Sequence, residues 1–92
     1  MLECEFRTGY KMFYIGYTFS LKERMKQHKK GIGAVATRNA RKVTLVWYKK
    51  FIGTIGDGMR EEKYYKKFTK QEKLKLVENF PEKFKKVIKC EY

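Results

Sequence analysis

From Phe13 to His28 the chain changes its hydrophobic period abruptly across one glycine. Before the change, Phe13, Ile15 and Tyr17 alternate onto one face of a strand, and Tyr14 and Gly16 share the other. After it, Ser20 is placed to open a helix, with Glu23 three residues on to complete a capping box. Leu21, Met25 and His28 then recur at i, i+4 and i+7, and Arg24 adjoins that stripe. Because Arg24 and His28 are i and i+4, they project from the same helix face. A strand that feeds a helix through a glycine turn excludes all-α and all-β architectures. It also brings a phenol, a guanidinium and an imidazole to one neighbourhood, a set suited to phosphodiesters.

The flanking segments extend this pattern. Residues 2–7 and 11–17 are β-rich runs separated by Thr8-Gly9-Tyr10, which predicts a hairpin. Gly31-Ile32-Gly33 ends the first helix, and a loop of small residues follows through Ala34, Ala36 and Thr37 to Arg38, Asn39 and Arg41. Residues 42–51, dense in Val, Leu, Trp and Tyr, predict the clearest strand. Gly53, Gly56 and Gly58 lead into a second helix over about residues 57–68. Thr69 and Glu72 form another capping box, starting a third helix. Pro81 sits where the first turn of a last amphipathic helix over about 81–90 would begin, with Phe84, Val87 and Ile88 as its apolar face. The predicted order is β-β-α-β-α-α-α. It implies one α+β domain over residues 1–92, a small three-stranded antiparallel sheet flanked by three to four helices.

Composition supports a packed domain with a polyanionic partner. Apolar residues make up 42% of the 92 and aromatics 16%, more than a disordered basic tail would carry. The net charge of +13 divides into +7 over residues 1–46 and +6 over 47–92, so the folded body itself is the polycation. Such a surface favours nucleic acid, DNA first and RNA as the alternative, with binding that weakens steeply as salt rises. Lysine-rich composition alone also suits a small structural protein. Two cysteines, Cys4 and Cys90, and one histidine cannot build a tetrahedral zinc site. No apolar run approaches the roughly 20 residues of a membrane span. Met-Leu-Glu-Cys-Glu lacks the pattern of a secretory signal, so the expectation is a soluble protein of the reducing cytoplasm without membrane partners.

Several motifs together carry a resemblance. Tyr14-Ile15-Gly16, with Arg24 and His28 downstream, resembles the GIY-YIG nuclease superfamily. Gly31-Ile32-Gly33-Ala34 followed by Thr37-Arg38 is similar to the G-x-G-A-x-x-T-R loop of its small stand-alone, single-domain branch. Glu62 through Lys66-Lys67-Phe68-Thr69 is similar to that branch's E-x-x-x-K-K-L-T helix end. The ordered blocks run from residue 12 to about 78, within a motif-bearing core of about 1–78.

The resemblance implies an endonuclease that hydrolyses DNA phosphodiesters with one divalent metal, usually Mg²⁺ and alternatively Mn²⁺. By the same resemblance, Tyr14 belongs to the group that positions or deprotonates the attacking water. Arg24 holds the scissile phosphate, His28 lies near the nucleophile, and Glu62 binds the metal. Tyr17, Thr37, Arg38, Arg41, Lys66 and Lys67 are the expected contacts to nucleic acid. Branched or nicked DNA and a protein partner are compatible with a domain this small, whose specificity would come from substrate shape. A non-catalytic DNA- or RNA-binding module on the same fold is the competing class.

Elementary chemistry agrees with these roles. Hydrolysis builds negative charge on the phosphoryl oxygens, which an arginine fork and a hard cation stabilise. A carboxylate with waters suits Mg²⁺. A tyrosine of ordinary pKa near 10 is a poor base unless cations lower it. Other partners compete for each group: Glu23 or Gln27 for Arg24, a core environment for His28, and Lys66 at i+4 for Glu62, with Glu61 as a rival carboxylate. One departure stands out. The superfamily pairs a first-strand tyrosine with the second across the hairpin, yet Met1 to Gly9 contains none. Either Cys4 occupies that position, or a longer hairpin places it upstream of Met1. A second departure is Tyr17, where some relatives carry lysine.

Overall fold

The computed structural model describes residues 1–90. Two strands, β1 (Leu2–Glu5) and β2 (Lys11–Tyr14), form the expected hairpin; Gly9 takes the positive φ of 87° that its turn requires. Helix α1 (Leu21–Lys29) follows, then a short α2 (Val35–Asn39) and strand β3 (Lys42–Leu45). Helices α3 (Ile55–Lys66) and α4 (Lys70–Asn79) precede a 3₁₀ turn at Glu82–Phe84 and a last strand, β4 (Lys86–Cys90). The four strands are antiparallel in the order β2-β1-β3-β4.

Both faces of the sheet are covered. Leu2, Cys4, Val43, Leu45 and Ile88 form a core on one face, against which Leu21 and Met25 of α1 pack together with Met12 and Tyr14. On the other face Met1, Ile15 and Val46 meet Phe13, Trp47, Tyr65 of α3, and Leu76 and Val77 of α4. The alternation read from the sequence therefore holds: Phe13 and Ile15 face the α3–α4 layer, and Tyr14 faces α1. Val43 has no exposed surface. Val43→Ala removes two buried carbons and leaves a void, at a cost of about 2 kcal/mol. In a domain of this size the expected loss is roughly 10 °C in melting temperature, read by calorimetry.

Helix starts follow local chemistry. Thr54 and Asp57 form a reciprocal capping box on α3, and Thr69 and Glu72 do so on α4. Ser20 caps α1 by accepting from the Glu23 amide at 3.3 Å, but Glu23 turns its carboxylate to Lys26 at 3.7 Å rather than closing the box.

The ends of the elements and the C-terminal segment depart from expectation. The runs 2–7, 11–17 and 42–51 are strand only over Leu2–Glu5, Lys11–Tyr14 and Lys42–Leu45. The expected helix at 57–68 starts two residues earlier and ends at Lys66, and the small-residue loop winds into α2. The expected helix over 81–90 is instead the 3₁₀ turn and β4, so the sheet has four strands rather than three. The spacing of Phe84, Val87 and Ile88 suits either state over so short a run. Pairing decided it, because β4 supplies hydrogen-bond partners to the edge of β3 that a helix would have left open. Phe84 joins Phe80 around the Tyr48 ring, at centroid distances of 6.5 and 5.1 Å. No helix is long and apolar enough to cross a membrane among the described residues.

Candidate active site

At the end of the sheet, between α1 and α3, lies a cleft of about 850 Å³. Tyr14 from β2, Arg24 and His28 from α1, and Glu62 from α3 all line it. Tyr14, Arg24 and Glu62 share its outer recess with Tyr17. Gly16 lies between them: a Cβ there would stand 3.5 Å from the Tyr14 hydroxyl and 3.7 Å from Glu62 Oε1, in ordinary contact with both. Gly58 is needed for the wall opposite, since a Cβ on it would come within 2.7 Å of the Tyr17 ring.

Each charged group is held by a light, breakable contact. The half-buried Arg24 donates from Nη1 to Gln27 Oε1 at 2.9 Å, a contact at the surface. Glu62 is 3.7 Å from Lys66 one turn on. Exposed contacts of this kind are worth only tenths of a kcal/mol to the fold. Both groups are therefore free to exchange their partners for a phosphate or a cation. Glu61, the rival carboxylate, also lines the cleft but pairs there with Lys49 at 3.4 Å and does not reach the outer recess.

His28 differs from its neighbours. It is 1% exposed, lies edge-on to the Tyr14 ring at 5.8 Å between centroids, and its Nδ1 is 2.7 Å from Thr37 Oγ1. Burial, and secondarily the Arg24 charge, hold its pKa below the ordinary histidine value, so it is neutral at pH 7.

Three expected nucleic-acid contacts lie elsewhere. Thr37 has no exposed surface and gives its hydroxyl to Ala34 O at 2.9 Å while meeting His28, so it cannot touch a phosphate. Arg41 pairs with Glu5 at 2.7 Å across the sheet, outside the cleft. Arg38 is exposed but reaches back to Gly33 O at 3.3 Å. Lys66 and Lys67 remain on the surface at the end of α3. The sequence reading missed Lys49 and Lys50, which line the cleft because the chain leaves the sheet after Leu45. The available signal was a lysine pair between Trp47-Tyr48 and Phe51, hidden inside an overlong strand. Phe19, 76% exposed, stands at the cleft mouth and carried no signal beyond its place after the glycine turn.

The register resolves the position opposite Tyr14. Leu2 pairs with Tyr14, and Cys4 pairs with Met12. Cys4 is fully buried in the core, and burial pushes its thiol up to about 11, so it stays protonated and apart from the cleft chemistry.

The model of the GIY-YIG catalytic domain matches residues 3–75, most of the chain and every element that lines the cleft. The chain belongs to the GIY-YIG family. Among curated proteins it is similar to a UPF0213 protein encoded in the ldhD 5′ region of Pediococcus acidilactici, 41% identical over 68 residues, covering 72% of this chain and 68% of that one. A UPF0213 protein of Staphylococcus haemolyticus is 38% identical, with 71% and 78% covered. One from Syntrophus aciditrophicus is 31% identical over 84 residues, covering 90% and 91%. These are small GIY-YIG-domain proteins. No solved structure matches the chain. The α+β architecture, an antiparallel sheet with helices on both faces, is consistent with the GIY-YIG fold, and the domain points to nuclease-type chemistry on DNA.

Among the described residues no group of three or more His, Cys, Asp or Glu side chains could hold a metal ion. Mg²⁺ does not need such a group, since it keeps several waters and binds through one or two carboxylates plus substrate phosphate. Glu62 is a hard oxygen donor at the cleft wall, beside Gly16 and Tyr14.

Proposed function

We propose that this GIY-YIG protein is an endonuclease that hydrolyses DNA phosphodiesters with the help of a divalent cation. The observation that carries the reading is the convergence of Tyr14, Arg24 and Glu62, from three separate elements, on one recess. Arg24 binds the scissile phosphate and stabilises the charge that develops on it. Glu62 would hold Mg²⁺, with Mn²⁺ as a substitute, and the cation supplies Lewis-acid polarisation of the phosphoryl oxygen when bound. Tyr14 orients the attacking water beside His28. Tyr17, Lys49, Lys50, Lys66 and Lys67 extend the positive surface along which the strand runs, and a polycation of +13 draws DNA to it. We place the protein in the cytoplasm, where its DNA substrate is found.

Incubation with supercoiled, nicked, branched and single-stranded DNA tests this. Strand breaks that need Mg²⁺ or Mn²⁺, stop with chelator and weaken as salt rises are the expected result. The absence of breaks on every substrate with either cation would overturn it. A second reading, a DNA- or RNA-binding module without turnover, is favoured by the lack of a tyrosine in β1, the strand that pairs with Tyr14. Salt-sensitive binding of DNA or RNA with no breaks is its signature.

A further inference from the structure

The loop between α1 and β3 closes around one side chain. A Cβ on Gly33 would fall 2.4 Å from His28 Nδ1, so only glycine lets the imidazole lie there. Arg38 holds the Gly33 carbonyl, and Thr37 Oγ1 lies 2.7 Å from His28 Nδ1 and 2.9 Å from Ala34 O. The glycine, alanine, threonine and arginine of the loop motif thus all serve the placement of His28.

The Thr37 hydroxyl carries one proton, and two acceptors compete for it. If that proton went to Nδ1, Thr37 Oγ1 and Ala34 O would face each other at 2.9 Å with no hydrogen between them, an arrangement of opposed lone pairs. If it goes to Ala34 O, which also accepts from the Arg38 amide at 3.0 Å, Thr37 accepts from an Nδ1–H and both short contacts carry a hydrogen. We propose that Thr37 is a positioning residue that locks His28 in the Nδ1–H tautomer, so that Nε2 presents its lone pair to the cleft and accepts the attacking water's proton. This rests on the nuclease reading above.

The surroundings support the role of Nε2. His28 lines the cleft despite its burial. Thr37 occupies Nδ1, which leaves Nε2 as the ring nitrogen available to the cleft. One turn earlier Arg24 holds the phosphate on the same helix face. In the step, a water oxygen forms a bond to phosphorus as its proton passes to Nε2. The phosphorus–ester oxygen bond breaks, and the departing oxygen takes a proton from solvent water. A neutral imidazole is competent for this, an imidazolium is not.

His28 is the chain's only histidine, so a long-range proton–nitrogen NMR spectrum of the full chain shows a single imidazole. Recorded with the ring neutral, it is expected to show a protonated Nδ1 and a bare Nε2, the reverse of the preference of free histidine. Thr37→Val keeps the shape and removes the acceptor. It is expected to shift the proton to Nε2 and slow cleavage by about a hundredfold, within the range of general-base contributions. Thr37→Ser restores both tautomer and rate. A wild-type spectrum with Nε2–H, or a valine variant that keeps Nδ1–H, overturns the lock. The wild-type spectrum decides the tautomer whatever the valine variant's stability. An Nε2–H form in a protein that cleaves sinks the lock and leaves the nuclease reading standing. An Nδ1–H form in a protein that cleaves nothing sinks that reading and the proton-accepting role together.

Discussion

Arg24→Ala is expected to lower the rate of strand cleavage by 100- to 1,000-fold (about 10²–10³) with little change in stability. Among the described residues the guanidinium contributes one surface hydrogen bond to the fold, to Gln27. Its removal should therefore stay within about 0.5 kcal/mol of the parent in denaturant titration. In the transition state the same group faces charge spread over phosphoryl oxygens, in a recess partly closed by the Tyr14 and Tyr17 rings. Two parallel donors there are worth far more than one at the surface. Arg24→Lys sharpens the comparison. It keeps the charge, so DNA binding and its salt slope should stay near wild type, while cleavage remains well below it because lysine lacks the planar fork. Gel-shift and cleavage assays on one substrate measure both quantities. Cleavage by Arg24→Ala at the wild-type rate would remove Arg24 from the chemistry.

Glu62→Gln should cost as much in cleavage and act through a different quantity. Glutamine preserves shape and the helix, and it loses only a weak i, i+4 contact to Lys66. Stability should move by no more than about 0.5 kcal/mol. A neutral amide is a poor ligand for a cation that prefers charged oxygen donors. The variant's cleavage should fall about a hundredfold at ordinary Mg²⁺ and recover in part as Mg²⁺ is raised, as metal binding weakens. A titration of rate against Mg²⁺ reads this directly. Glu61→Gln is the matched control, because its carboxylate lines the same cleft but is engaged with Lys49 and does not reach the outer recess. Equal losses from both variants would point to general electrostatics instead of a bound cation.

Much of the site was legible because it is local. The alternation that sends Tyr14 to one face and Phe13 to the other, and the i, i+4 spacing of Arg24 and His28, are properties of a few consecutive residues. Glu62 was separated from Glu61 only by its register to Lys66 and Lys67; both line the cleft, and Glu62 also reaches the outer recess beside Tyr14. Thr37 was less legible. A threonine between alanine and arginine in a polar loop reads equally as a surface contact, and only the winding of α2 turns its hydroxyl inward onto His28. Arg41 was misplaced for a related reason. Its charge suggested DNA, but the β1–β3 register sets it beside Glu5.

By itself the sequence determined the strand-glycine-helix unit, the helix caps at Ser20 and Thr69 that are visible as residue patterns, and the order of the chemistry-bearing side chains. Each of these depends on φ/ψ preference and side-chain period over one or two turns. Tertiary structure alone decided that 86–90 is a strand, that Leu2 and not Cys4 faces Tyr14, and that Thr37 belongs to the histidine. Those are choices of register and edge pairing. A slip of the hairpin leaves every local pattern intact while changing which side chains meet, so only the closing of the whole core selects among them.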